Sequence, residues 1–440
     1  MEEEIFKKYK KLGRGSWGGK DLSLWKTMYN AFLNLIKEEE EFTPIMEMFL
    51  NMFLRVTNAR KEGRPIIMHS FNFEPALFIA MDLTPLMQES FSIGLAPFHI
   101  NEPYIDITNE IGYGDTPTLC NAQRPLVGAY TRGVAPIPDL IFYTSTPCNA
   151  IAMSYQVFEQ LINVPTFSLD IPYWSYDQAN EFYDEKMMDY MVKQTKDLIS
   201  WLEKETNQKL DMEKFQHTMK LVNEARENVV EFNELLKNVP CPLPSMAGFG
   251  VFATMATHSG TPDAVKVTKW IRDEAAQNVK NGIAGVPDEK IRIAWPYTHI
   301  FFDPELLPWI EETFQAVVIM DLMGYYPVLP HDVSTIEKCY ESLAMGVLDF
   351  SMIGTCRGPA EYYTDFVLNY VKDYKVDCVI IPMQFACKHA YAITRIAAEA
   401  VREQLGIPTL IFGCDPYDSR EVTSETIRER ISEFLTQVVM

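Results

Sequence analysis

Two cysteines occupy the same kind of place in this chain, where an apolar strand-like run gives way to a helix-like one. In "DLIFYTSTPCNAIAMSYQVFEQL" (139–161) the run ends in Thr-Pro, and Cys148 follows just before the helix. In "VDCVIIPMQFACKHAYAITRIAAEAV" (376–401) Cys387 holds the corresponding position. A helix start presents free backbone N–H groups and the positive end of the peptide dipoles. That setting favours thiolate, the form of cysteine that binds metal. A third thiol, Cys120 in "TPTLCNAQRPLVGAY", follows a loop with Gly112, Gly114 and Pro117 and precedes a short helix.

In an open parallel sheet, ligands bind beyond the carboxyl ends of the strands, and Cys148 and Cys387 both fall there. An iron–sulfur cluster held by thiolates carries net negative charge, so the helix field would steady it. A cluster on Cys120, Cys148 and Cys387 would lie between two α/β domains. Three thiolates leave one iron without a protein ligand, free to act as a Lewis acid on a substrate oxygen. The plainer alternative is three unrelated buried thiols, since free cysteine is among the most buried residue types.

The elements that must position these thiols are legible in outline. The 440 residues allow two or three domains. Residues 1–60 read as a helical region, broken near Thr43-Pro44. Strand, helix and strand then recur over 61–174, with "RPIIMHSF", "EPALFIAMDL" as a helix, and "VPTFSLDIP". Residues 175–288 read as helical, beginning with two long amphipathic helices. A second α/β region, 289–440, has strand candidates "RIAWPY", "YYPVLP", "CVIIPM" and "TLIFG". Its helix "AYAITRIAAEAVREQL" should stop at Gly406, and Thr423 or Ser424 should cap the last helix. The expected fold is α/β: two doubly wound parallel-sheet domains (Rossmann-like or flavodoxin-like) with an N-terminal helical region and a helical insertion.

Composition narrows the function. The net charge of −21 argues against nucleic-acid binding, which needs a basic surface. No stretch is long and apolar enough to span a membrane, and "MEEEIFKKYKK" is no secretory leader, so a cytoplasmic protein with reduced thiols is expected. The eight cysteines include no CxxC pair, against a zinc ribbon or thioredoxin-type site. "GRGSWGG" (13–19) has no preceding strand and no Gly-Lys-Ser/Thr, so it reads as a flexible arm and not a phosphate loop.

The segments "TLCNAQRPLVGAY", "PDLIFYTSTPCNAIAMSYQVF", "PMQFACKHAYAITRIAAEAVREQLGIPTLIFGCDPYDSR" and "TIRERISEFL" resemble the 2-hydroxyacyl-CoA dehydratase and benzoyl-CoA reductase superfamily. "HSFNFEPALFIAMDLTPLMQES" is similar to its N-terminal segment, so the resemblance runs from about residue 60 to the end. It implies one [4Fe–4S] cluster on Cys120, Cys148 and Cys387. It also implies a homologous second subunit in a heterodimer, a separate ATP-dependent iron–sulfur activator, and an acyl-CoA substrate. The reaction implied is (R)-2-hydroxyacyl-CoA dehydration, in which one electron added to the thioester makes a ketyl radical anion that expels the hydroxyl. The alternatives are low-potential reduction of a benzoyl-CoA ring, and a non-catalytic electron relay or double-cubane-cluster protein. Of the three extra cysteines that the double-cubane branch uses, only Cys356 has a candidate here. Where many relatives carry Cys-Asp-Gly-Lys-Lys, this chain has Cys148-Asn149-Ala150.

Other residues carry two readings each. His69 and Ser70 end the first strand and would donate a proton, or His69 is simply hydrogen-bonded at a strand end. Glu74 would act as an acid or cap the helix at Pro75. His389 would donate to cluster sulfur and tune its potential. Arg124 and Lys388 would offset cluster or CoA charge, or make surface salt bridges. Cys356 reads as a core or loop thiol, or as a neighbour of the cluster. Cys241, Cys339 and Cys378 read as structural, and Cys414 as a strand-end residue that packs or approaches the site.

Overall fold

The computed structural model describes residues 23–38, 43–114, 119–174, 183–321 and 329–439. Among the described residues eight strands form two four-stranded sheets, all parallel. The first contains β1 (Ile66–His69), β2 (Thr84–Met87), β3 (Leu140–Thr144) and β4 (Thr166–Leu169), in the order β2-β1-β3-β4. The second contains β5 (Ile291–Trp295), β6 (Ala316–Asp321), β7 (Cys378–Gln384) and β8 (Thr409–Cys414), in the order β6-β5-β7-β8. The two sheets repeat one doubly wound topology, the α/β fold expected. The central strands are buried at every position but Met383, while edge strands β4 and β8 are partly open, as in a parallel sheet covered on both faces.

In each sheet the strand order reverses between the first and third strands, β1 and β3 or β5 and β7. Ligand crevices open beside such reversals, beyond the strand ends. Cys148 follows β3 and Cys387 follows β7, so the two thiols occupy equivalent positions in the two units.

Helices Ser23–Glu38 and Pro44–Asn58 lie against the first sheet unit, the second starting at Thr43, whose side chain accepts from Met46 N. Helices Glu185–Thr206 and Met212–Leu235 are the long amphipathic pair, and Ala247–His258 and Pro262–Asn281 follow. Helix Lys388–Leu405 ends on Gly406 in the left-handed conformation, and Thr423 caps Ser424–Phe434. Among the described residues one apolar core runs through both sheets and these helices. None of their helices is long and apolar enough to cross a membrane.

Several elements differ from expectation. The helix read in "EPALFIAMDL" is only Ala76–Ala80. Asp82, with φ 57°, turns the chain into β2, a strand not foreseen in the sequence. β6 was likewise hidden, its apolar run directly abutting helix Leu306–Phe314. Of "YYPVLP", 325–328 lies outside the described residues, as does "GRGSWGG"; Leu329 and Pro330 are not in a strand.

One close approach fixes the loop that carries Cys120. Helix Glu102–Glu110 crosses helix Arg124–Arg132 at Gly128, where a Cβ would stand 2.2 Å from the Tyr104 carbonyl oxygen. No rotamer relieves that clash, because the obstacle is backbone. Gly128→Ala should therefore destabilise the chain by about 1–3 kcal/mol, read as a lower denaturant midpoint. An unchanged midpoint would show that the two helices part without cost.

Candidate functional site

The two units meet with their strand ends facing each other. Residues just beyond β1 (Phe71), β3 (Pro147, Cys148), β5 (Tyr297, Thr298) and β7 (Cys387), with Gln384 at the end of β7, line one cavity of about 60 Å³. That exceeds the roughly 10–15 Å³ that one water needs. Cys120, Cys148 and Cys387 are all in its wall, with Cys356 and His389. The loops also touch directly: Leu119, Cys120, Ala150 and Ala386 form a small apolar cluster separate from the main core, with Cys148 packed on it.

Local structure explains how each thiol is held. Cys148 is the N-cap residue of helix Asn149–Ile162 in extended conformation, and the nearby N–H groups of Ala150 and Ile151 oppose the rise of its pKa without capping the helix through the sulfur. Cys387 is the N-cap residue of helix Lys388–Leu405, where the nearby Tyr297 hydroxyl and the N–H groups of Ala390 and His389 act in the same sense. Cys120 Sγ accepts from Gln384 Nε2 at 3.0 Å, across the two units, and from Ala122 N at 3.4 Å. Asn121 Nδ2 donates to Asp415 Oδ2 at 2.9 Å and Asn101 Nδ2 to the Tyr417 carbonyl at 3.3 Å, further tying the units.

Burial sets the electrostatics of the three thiols. It pushes all of them up, Cys148 to about 12, and for Cys120 and Cys148 neighbouring thiols add to the shift. Metal coordination reverses this and deprotonates a thiol outright. Sulfur with several donors near it, in a water-poor cavity, suits an iron–sulfur core whose potential depends on such bonds. Among the described residues no three His, Cys, Asp or Glu side chains stand near enough to hold one metal ion. The three thiols share the wall of one cavity, and soft sulfur donors are the ligands that iron–sulfur cores take. The donor set therefore fits a cluster.

The remaining expected residues are divided. His389 lines the cavity, and its Nδ1 is buried with no hydrogen-bond partner. Cys356 is a buried cavity residue, its thiol raised to about 12 by burial and, to a lesser degree, by Cys387. Cys414 is buried at the end of β8 and is not in the wall. His69 and Ser70 are fully buried and do not line the cavity; Phe71 does. His69 packs on Phe78, contacts the Ser70 carbonyl through Nδ1, and is held neutral by burial, its pKa lowered to about 4. Glu74 is also away from the wall, in a buried ion pair with Arg226 at 2.7 Å. Arg124 is not at the surface: it is fully buried and donates to Thr108, Asn121, Asn109 and the Ile105 carbonyl. Cys241, Cys339 and Cys378 are buried away from the cavity.

One chemically important residue had no sequence signal. Glu89 follows β2, is 2% exposed and lines the cavity. Its carboxylate accepts from Phe71 N at 2.8 Å and from Gln123 Nε2 at 2.9 Å. Burial raises its pKa to about 7, against which those hydrogen bonds act.

Comparison with known proteins fits this geometry. The profile of the family described as "2-hydroxyglutaryl-CoA dehydratase, D-component" matches residues 71–438. The chain belongs to this family. It is 22% identical over 413 residues to the (R)-2-hydroxyisocaproyl-CoA dehydratase alpha subunit of Clostridioides difficile, covering 90% of this chain and 95% of that one. It is 23% identical over 313 residues to the (R)-2-hydroxyglutaryl-CoA dehydratase alpha subunit of Acidaminococcus fermentans, covering 69% and 61%. It is 20% identical over 428 residues to a benzoyl-CoA reductase subunit of Thauera aromatica, covering 91% and 95%. In this member of the dehydratase family, Cys120, Cys148 and Cys387 all fall inside the matched span.

The raised carboxyls give a signed pH dependence. Glu89 in the fold keeps a proton that the unfolded chain releases above about pH 4.5. Its contribution to stability is thus full below about 4.5 and lost as pH rises to about 7, at about 1.4 kcal/mol per pH unit per proton. Glu89→Gln should flatten the stability profile in that window by about one proton. Asp415, raised to about 7 by burial, leaves a residual slope of the same sign. A profile identical to that of the unmodified chain would show that Glu89 is ionised in the fold.

Proposed function

We propose that this chain is the [4Fe–4S] subunit of an ATP-activated enzyme acting on CoA thioesters, and that its reaction is the dehydration of an (R)-2-hydroxyacyl-CoA to the enoyl-CoA. The carrying observation is the meeting of Cys120, Cys148 and Cys387 at one cavity between facing strand ends, in a chain of this family. A cluster held there supplies an electron at low potential and an open iron as Lewis acid for the thioester or hydroxyl oxygen.

The chain's own residues do the rest. The Ala122 N–H and the Gln384 amide hold the Cys120 sulfur, and the helix-start N–H groups of Ala150, Ile151, His389 and Ala390, with the Tyr297 hydroxyl, favour charge on the other two. Phe71, Ile93, Met352 and Tyr417 keep the cavity wall apolar and exclude water. Glu89, poised near neutral pH, is placed to take the proton from the carbon β to the thioester; the Phe71 N–H and Gln123 amide orient it. His389, with its Nδ1 buried and unpartnered, is a second titratable group in the same wall. A homologous second subunit and an iron–sulfur activator that hydrolyses ATP complete the system, in the cytoplasm. The likeness to a benzoyl-CoA reductase subunit over nearly the whole chain supports ring reduction as the second reading.

Anaerobic assay with the partner subunit and activator on both substrate classes separates the readings. Loss of water without net electron use is the dehydratase result. Electrons consumed in proportion to a dienoyl product would replace it with the reductase, and uptake of an electron with no turnover would leave a relay. Glu89→Gln should lower turnover about 10²–10⁴-fold with iron content unchanged; full activity would remove Glu89 from the chemistry. Cys148→Ser should strip most of the iron, whereas Cys241→Ser should not, because the Cys241 thiol bonds the Leu243 carbonyl in a separate part of the core. Equal losses in both variants would overturn the ligand assignment.

A further inference from the structure

A second cavity adjoins the first. It has a volume of about 200 Å³ and lies between helices Ser23–Glu38, Pro44–Asn58, Glu89–Leu95 and Ala247–His258. Met28, Phe53, Met87, Phe249 and Phe252 are among its lining residues, and Ala253 is in its wall. Ile93 lines both this cavity and the one holding the thiols. Helix Glu89–Leu95 is therefore the shared partition: Glu89 and Ile93 face the thiols, while Ser90, Ile93 and Gly94 face the apolar space.

Among the described residues none that lines it carries a charge. The hydroxyl-bearing ones are Ser90 and Thr257, and Thr257 Oγ1 already donates to the Ala253 carbonyl at 2.6 Å. An apolar cavity of roughly 150 Å³ admits benzene, so this one has room for a phenyl ring or a branched chain of similar size. A carboxylate placed there would be desolvated without a partner, which costs several kcal/mol or forces its protonation.

We propose that this cavity takes the apolar tail of the acyl group, so that the chain selects an aryl or branched-alkyl acyl-CoA and rejects a dicarboxylic one. This rests on the CoA-thioester reading given above. The occupant is inferred from the shared Ile93 wall, which sets this space directly against the cavity of the thiols, and from the absence of any cation among its described lining residues to meet a second carboxylate.

The test is calorimetric titration of the anaerobically purified, full-length, cluster-loaded chain with 3-phenylpropanoyl-CoA, 4-methylpentanoyl-CoA, glutaryl-CoA and acetyl-CoA. The first two should bind about 10-fold or more tightly than the last two, the scale that a hydrophobic pocket supplies. Ala253→Phe, which fills the space, should bring all four within about 3-fold of one another without weakening acetyl-CoA. Ala253→Val, a smaller change for use if the phenylalanine variant does not fold, should shift affinities the same way by less. Glutaryl-CoA binding as well as the apolar thioesters, or preferences unmoved by both variants, would overturn the pocket assignment while leaving the thioester reading standing. Failure of all four to bind would overturn both.

Discussion

The structure depends on the burial of three thiols at one point. A neutral thiol tolerates an apolar wall, but three of them facing one cavity, each with donors near its sulfur, make poor packing without a shared partner. Their pKa values rise because charge there has nothing to meet it. The multi-iron core proposed here would resolve that conflict by taking the protons' place. The repeated strand order makes the convergence possible, because each unit offers one strand-to-helix junction beside its topological reversal, and the two offer them to each other. Cys120 joins through a loop pinned by Gly128 on one side and by Gln384 on the other.

Helix ends and apolar walls divide the labour around that point. Helices Asn149–Ile162 and Lys388–Leu405 start at the thiols and bring unsatisfied N–H groups where negative charge is wanted. Aromatic and aliphatic side chains lower the local dielectric, which strengthens every remaining interaction. Glu89 shares this environment, and the burial that strengthens the sulfur contacts also lifts its carboxyl to about 7. One desolvated space thus sets the ionisation of both the three thiols and Glu89.

Much of this was legible in the amino-acid sequence wherever a local pattern carried it. Cys148 and Cys387 stood out because strand-like runs ended and helices began beside them, and Thr43, Thr423 and Gly406 marked helix ends by their own chemistry. β2 was hidden because it has four residues, one of them Pro85. β6 was hidden because only Gln315, in the left-handed conformation that glycine or asparagine usually marks, separates it from the preceding helix. Glu89 carried no signal in the sequence, and Arg124 read as a charge offset for cluster or CoA or as a surface salt bridge; only the tertiary packing buries them. His69 and Ser70 do end a strand beside the reversal, but the residue that reaches the cavity is their neighbour Phe71. Side-chain direction at a strand end is a property of packing that spacing does not encode.

The central claim is that three thiols hold one four-iron core with a single corner free of protein ligands. Mössbauer spectroscopy of the full-length chain, loaded anaerobically with ⁵⁷Fe, tests it most directly. The account predicts about four irons per chain, one of them spectroscopically distinct from the other three. Four equivalent irons, or iron at no more than about one per chain, would contradict it.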